Sequence, residues 1–70
     1  MSATIARHIA ERMVRLREQQ GLSQGALARK ARMQRVSVSR IERGVHEPSL
    51  TTLERIAKAL GVRLIVDFRK

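Results

Sequence analysis

The 70-residue sequence has no cysteine, tryptophan or tyrosine, one proline and one aromatic residue, Phe68. Without cysteine there are no disulfides and no thiolate metal sites, which suits a reducing cytoplasm. The fold must stand on packing alone, helped by a second subunit where its own core falls short. The near-absence of aromatics removes the stacking platforms on which single-strand binders and RNA-recognition sheets lay their bases. Wholly aliphatic runs, such as residues 64–66, are only a few residues long, against the roughly 20 needed to span a bilayer. Charged residues Arg7, Glu11 and Arg12 interrupt the N-terminal segment, so no signal peptide is expected and the expected address is cytoplasmic. Acids are scarce too: six stand against fifteen basic residues, a formal charge of +9.

That imbalance points to a polyanionic partner. All the basic residues except Lys30, Lys58 and Lys70 are arginines, whose planar fork matches phosphate and the guanine edge in a way a lysine point charge does not. Seventy residues make one domain, which buries only about 60% of the surface its unfolded chain exposes.

Along the chain, Ile5, Ile9, Met13 and Leu16 recur at helical spacing and predict a first helix over residues 4–20, capped by Ser2 or Thr4 and stopped by Gly21. Ser23 is a good cap for a short second helix whose Leu27, Ala28 and Ala31 share a face, with Leu22 as a staple before the cap. A third helix is predicted over residues 34–43, with Val38 and Ile41 inward and Gly44 as its stop. Only Arg32 and Met33 separate the second helix from the third, so the two must turn sharply on each other. After a loop at residues 45–48, Ser49 caps a fourth helix carrying Leu50, Leu53, Ile56, Ala57 and Leu60, which Gly61 closes. The period then changes. Val62, Leu64, Val66 and Phe68 alternate with Arg63, Ile65, Asp67 and Arg69, as along a strand. A lone strand cannot satisfy its backbone, and no second strand is visible in the chain. Residues 1–61 are thus expected to form the folded domain and residues 62–70 a dimerisation tail.

Residues 21–44, GLSQGALARKARMQRVSVSRIERG, resemble the helix-turn-helix of the lambda-repressor-like (XRE/Cro) family, and the likeness continues through residues 48–62, PSLTTLERIAKALGV. The resemblance implies an all-α fold, a compact four-helix DNA-binding domain, that binds duplex DNA and acts as a dimer. In such a fold the third helix enters the major groove, where each base pair shows a distinct set of donors and acceptors. With Val38 and Ile41 turned inward, Gln34, Arg35, Val36, Ser39 and Arg40 occupy its outer face and are the candidate base readers. Arg35 and Arg40 suit guanine and Gln34 suits adenine; Val36 either packs on a thymine methyl or lies under the turn. The resemblance also gives Gln24 a phosphate-gripping and buttressing role. It places Arg43 against phosphate beyond the third helix and pairs Arg17 with Glu42 as a structural bridge. Two positions depart from the family pattern. Arg32 stands where the family often has glycine, so a positive φ is expected there, offset by a charge that can face phosphate. Gln34 stands where a serine or threonine cap is usual.

Other chemistries find little support. His8 and His46 lie on separate elements without a carboxylate cluster, so no metal or other cofactor is expected. No nucleophile motif or phosphate loop frames the serines, and no enzyme activity is expected. The basic first helix, with Arg7, Arg12, Arg15 and Arg17, is the segment to weigh for a membrane surface; its apolar face is the one the small core requires. Two biological roles remain open: an ordinary homodimeric repressor on an inverted-repeat operator, and an antitoxin that also binds a toxin protein. The tail resembles that of HipB-like antitoxins, in which a C-terminal strand pairs across the dimer. Val62, Leu64, Ile65, Val66 and Phe68 are the candidate dimerisation residues, with Val62, Leu64, Val66 and Phe68 expected to face the helices and Ile65 outward.

Overall fold

The computed structural model describes residues 3–70, which form four helices: α1 (Ala3–Gln19), α2 (Gln24–Ala31), α3 (Arg35–Glu42) and α4 (Leu50–Leu60). Local chemistry sets the boundaries. The Ser23 hydroxyl accepts the Ala26 amide at 3.0 Å and the Ser49 hydroxyl accepts the Thr52 amide at 3.1 Å, each satisfying one of the amides a helix start leaves unpaired. Helix α1 begins at Ala3, so Thr4 stands within it rather than capping it, and Ser2 lies outside the described residues.

Three helices end in the same way. At Gly21, Arg32 and Gly61 the chain turns through a positive φ. The following residue then donates back five positions, Leu22 to the Arg17 carbonyl (3.0 Å), Met33 to Ala28 (2.8 Å) and Val62 to Ala57 (2.9 Å). This double-bonded ending favours glycine because a Cβ crowds the backbone at positive φ. Arg32, at φ 56° and ψ 50°, is the one described non-glycine residue with positive φ.

Helix α2 packs on both α3 and α4, while α1 packs on α3. Met13, Leu27, Ala28, Ala31, Val38, Ile41, Ile56 and Leu60 form the buried cluster, with Ile9, Leu16, Leu22 and Met33 half-buried around it. The buried face of α1 is rotated from the one its large residues mark. Ala6 and Ala10 are buried with Met13, whereas Ile5 is half exposed. The cause is a close approach. Gly44, at φ 75°, lets the α3–α4 loop run against α1, where a Cβ would meet Arg7 Cα at 3.4 Å and Ala10 Cβ at 3.8 Å. Only alanine-sized side chains leave room for that contact, and the larger isoleucines fall to the α4 side.

The tail forms no strand within the chain among the described residues. Val62 and Leu64 are the least exposed of its apolar set, but Val66 is largely exposed and Phe68 fully so. Within the single chain, the expectation that Val66 and Phe68 face the helices is therefore corrected. A lone extended segment has no ladder to hold its far end against the domain.

Replacing Arg32 by glycine should stabilise the fold. It removes the left-handed penalty of a side-chain-bearing residue, about 1 kcal/mol, partly offset by the greater freedom glycine adds to the unfolded chain. A rise in melting temperature of a few degrees by circular dichroism is the expected outcome; a fall would show that the Arg32 side chain itself holds the turn.

Candidate nucleic-acid interface

The outer face of the helix pair α2–α3 is built on one polar junction. Glu42, in the last turn of α3, accepts Arg17 Nε at 2.7 Å on Oε2, and Arg17 Nη2 at 3.0 Å and Gln24 Nε2 at 2.9 Å on Oε1. Arg17 Nη1 reaches on to the Leu22 carbonyl at 2.8 Å. The two charged side chains are almost withdrawn from water, 13% and 5% exposed for Arg17 and Glu42. The Arg17 guanidinium is held above its ordinary pKa, chiefly by its hydrogen bond to Glu42; burial opposes this, and the charges of Glu42 and Glu18 add to it. A base whose folded pKa is raised contributes stability at every pH below its unfolded value and loses it only above. Here that window lies beyond the ordinary arginine range, so this residue leaves the junction insensitive to pH around neutrality.

With the junction fixed, α3 shows one side to solvent. Val38 and Ile41 are buried; Gln34, Arg35 and Arg40 are exposed and Ser39 is half-buried. Val36 is 50% exposed, which rules out a place under the turn and leaves it on the outer face. Gln34 takes the cap position of α3 in extended conformation but makes no side-chain cap bond, so its amide is free of that duty. Arg32 and Arg43, both exposed, stand just before and just after α3. Gln24 is half-buried and committed through one amide hydrogen to Glu42; the second hydrogen on the same nitrogen remains for another acceptor.

Reading the sequence missed Gly25. A Cβ there would lie 3.8 Å from Arg35 Cδ, so the Arg35 stem passes over the first turn of α2. The available signal was an isolated glycine inside a helical pattern. Charge supports the same face. Neither α2 nor α3 carries an acid in its first turn, although acids there would stabilise both helices against their dipoles. The one acid of these two helices, Glu42, is turned inward. What remains outside is wholly cationic or neutral, a surface suited to an anion. His8 and His46 are both exposed, and no cluster of metal-ligating side chains occurs among the described residues.

Two short helices locked at a sharp turn, with the second presenting an outward row of side chains, define a helix-turn-helix domain. The chain belongs to the HTH_3 helix-turn-helix family, whose pattern matches residues 13–66. It is 39% identical over 56 residues to the immunity repressor protein of Bacillus phage phi105, covering 80% of this chain and 39% of that protein. It is 33% identical over 63 residues to an uncharacterised HTH-type transcriptional regulator of Sinorhizobium fredii, covering 90% of this chain and 32% of that protein. Among solved structures it resembles an HTH_3 family transcriptional regulator from Vibrio cholerae, with a TM-score of 0.84 and 31% identity over 87% of this chain and 34% of that one. The chain thus spans between about a third and two fifths of each of these proteins.

Removing one partner of the junction should cost more than removing both. Arg17→Met strands a withdrawn carboxylate with Gln24 alone and should destabilise by about 3 kcal/mol, while Arg17→Met with Glu42→Leu should recover most of that loss. Denaturant unfolding of the two variants checks this, and equal losses in both would show that the pair contributes net stability rather than orientation.

Proposed function

We propose that this chain is a sequence-specific duplex-DNA-binding repressor domain that acts as a homodimer on an inverted-repeat operator. The observation that carries the reading is the outward row of α3, Gln34, Arg35, Val36, Ser39 and Arg40, flanked by Arg32 and Arg43 in a chain of net charge +9. A helix of this size fits the major groove, where Arg35 and Arg40 pair with guanine, Gln34 with adenine and Val36 with a thymine methyl. Arg43, Arg32 and the spare hydrogen of Gln24 take phosphates, which set register without reading sequence. A DNA-binding regulatory role, though not this division of residues, is supported by family membership and by the phage immunity repressor among the relatives. No described helix is long and apolar enough to cross a membrane.

The second reading is an antitoxin that also holds a toxin protein. It is supported by the exposure of Ile65, Val66 and Phe68, apolar surface open to a protein partner. Co-purification of a toxin with the tagged chain separates the two.

The experiment that tests DNA reading is a panel of base-substituted operators titrated across a salt series. Arg35→Ala and Arg40→Ala should each relax discrimination at particular base pairs by about 1 to 3 kcal/mol, whereas Arg43→Ala should weaken all sequences alike and flatten the salt slope by about one. An affinity indifferent to salt would sink the electrostatic argument, and a position-specific effect of Arg43→Ala would overturn the assigned roles.

Dimerisation through the tail would set two α3 helices about one DNA turn apart, with half-site centres roughly 34 Å apart. Deleting residues 62–70 should then leave a folded helical domain that sediments as a monomer at micromolar concentration. A truncated chain that dimerises as tightly as the full one would move the interface onto the helices.

A further inference from the structure

Between α1 and α4 lies an open groove of about 540 Å³, lined by Ile5, Ile9, Leu50 and Leu53 and, from the tail, by Val62 and Leu64. Ile5 and Leu50 are about half exposed on it, and Ile65, Val66 and Phe68 extend the same apolar surface along the tail. Together these side chains leave on the order of 700 Å² of apolar area in water, taking roughly 170 Å² for a fully exposed large side chain. That exceeds the 300–600 Å² patch of a typical monomer and approaches the roughly 800 Å² per partner of a stable interface.

We infer that a second copy of this chain covers this surface, and that the two tails pair antiparallel in one register, with Ile65 on the two-fold axis. The inference rests on the dimer reading above and adds to it the register and the residues that enforce it. Directly opposed residues of an antiparallel pair point to the same side, so the tail sequence can be scored against itself. With the axis at Ile65, Val62 opposes the partner's Phe68, Leu64 opposes the partner's Val66, and Arg63 opposes the partner's Asp67. One side of the ribbon is then entirely apolar. It seats the partner's Phe68 beside Val62, on the groove side of the tail. The other side holds two Arg–Asp pairs about a central Ile–Ile contact.

Other registers fail on the same residues. An axis at Val66 sets Arg63 against the partner's Arg69, a like-charge contact. An axis at Leu64 sets Arg63 against the partner's Ile65 and leaves Asp67 facing a glycine. An axis between two residues opposes odd positions to even ones and mixes charge with apolar groups on both sides. Within the single chain, Asp67 already pairs with Arg69 at 3.2 Å, two residues on, as side chains do along one side of an extended segment. Both groups are more than half exposed, so giving up this contact for Arg63 of the partner subunit costs little.

The absence of cysteine makes the register directly measurable in the full chain. Under mild oxidation Ile65→Cys should form a covalent dimer readily, because opposed residues lie within disulfide reach. Arg63→Cys should not, since its two copies would sit about 13 Å apart along the ribbon. In sedimentation, Arg63→Asp and Asp67→Arg should each weaken the dimer about tenfold, and the combined swap should restore it to within about threefold. A dimer that persists while Arg63→Cys crosslinks as fast as Ile65→Cys, or while the combined swap recovers nothing, overturns the register and leaves dimerisation standing. A chain that stays monomeric both free and on an operator overturns register and dimer together.

Discussion

The geometry of this domain depends on a single carboxylate. Glu42 sits at the end of α3 and receives donors from the end of α1, through Arg17, and from the start of α2, through Gln24; Arg17 also ties down the carbonyl of Leu22 in the connecting turn. Apolar packing alone would not fix that arrangement. Among the described residues, five of the twelve buried hydrophobic ones are alanines, and small aliphatic surfaces tolerate sliding and rotation at little cost in buried area. A bidentate ion pair does not tolerate them, because the guanidinium fork and carboxylate match in one plane and at one distance. The apolar cluster therefore holds the helices together while the junction decides their angle. Whether such a pair adds net stability matters less than the fact that misalignment leaves a desolvated charge unpaired.

The same junction shapes the outer surface. By turning inward, the only acid on α2 and α3 pairs with an arginine largely withdrawn from water, and leaves Arg32, Arg35 and Arg40 without a competing carboxylate on α2, α3 or the turn between them. Arg32 bears on this further. Its left-handed backbone is one that glycine would adopt with less strain, as it does at the corresponding helix ends, Gly21 and Gly61.

What could be read from the sequence was whatever is local. Ser23 and Ser49 announce helix starts because their hydroxyls need only an amide three residues on, and Gly21 and Gly61 announce ends because the turn needs only their own φ. The inward positions of α3 followed from a three-residue step between Val38 and Ile41. The Arg17–Glu42 contact spans 25 residues, and no periodicity points to it; it came from family resemblance alone. The rotation of α1 was hidden for a related reason. Its buried side is chosen by a glycine more than thirty residues away, and the small residues that allow the approach look like mere helix formers in a periodicity count. Gly25 escaped in the same way, since its meaning lies in the path of Arg35.

The tail is the remaining case, because there the sequence pattern and the single-chain structure disagree for a physical reason. Alternation of apolar and charged residues states which sides a strand would present, but a strand exists only once its amides and carbonyls meet another backbone. In one copy of this chain nothing among the described residues provides that, so the segment forms no strand and stays exposed, and Phe68 is left fully in water. The domain also leaves apolar surface open at the same place. Its alanine-rich core keeps α1 close to α3, which leaves the isoleucine side of α1 and the leucine at the start of α4 facing an open groove. In the proposed dimer, a tail without a strand partner and the open groove it runs past would form one self-complementary surface. Two-fold symmetry would let a single short segment supply both strands of that proposed ribbon, because the same patch serves on both subunits.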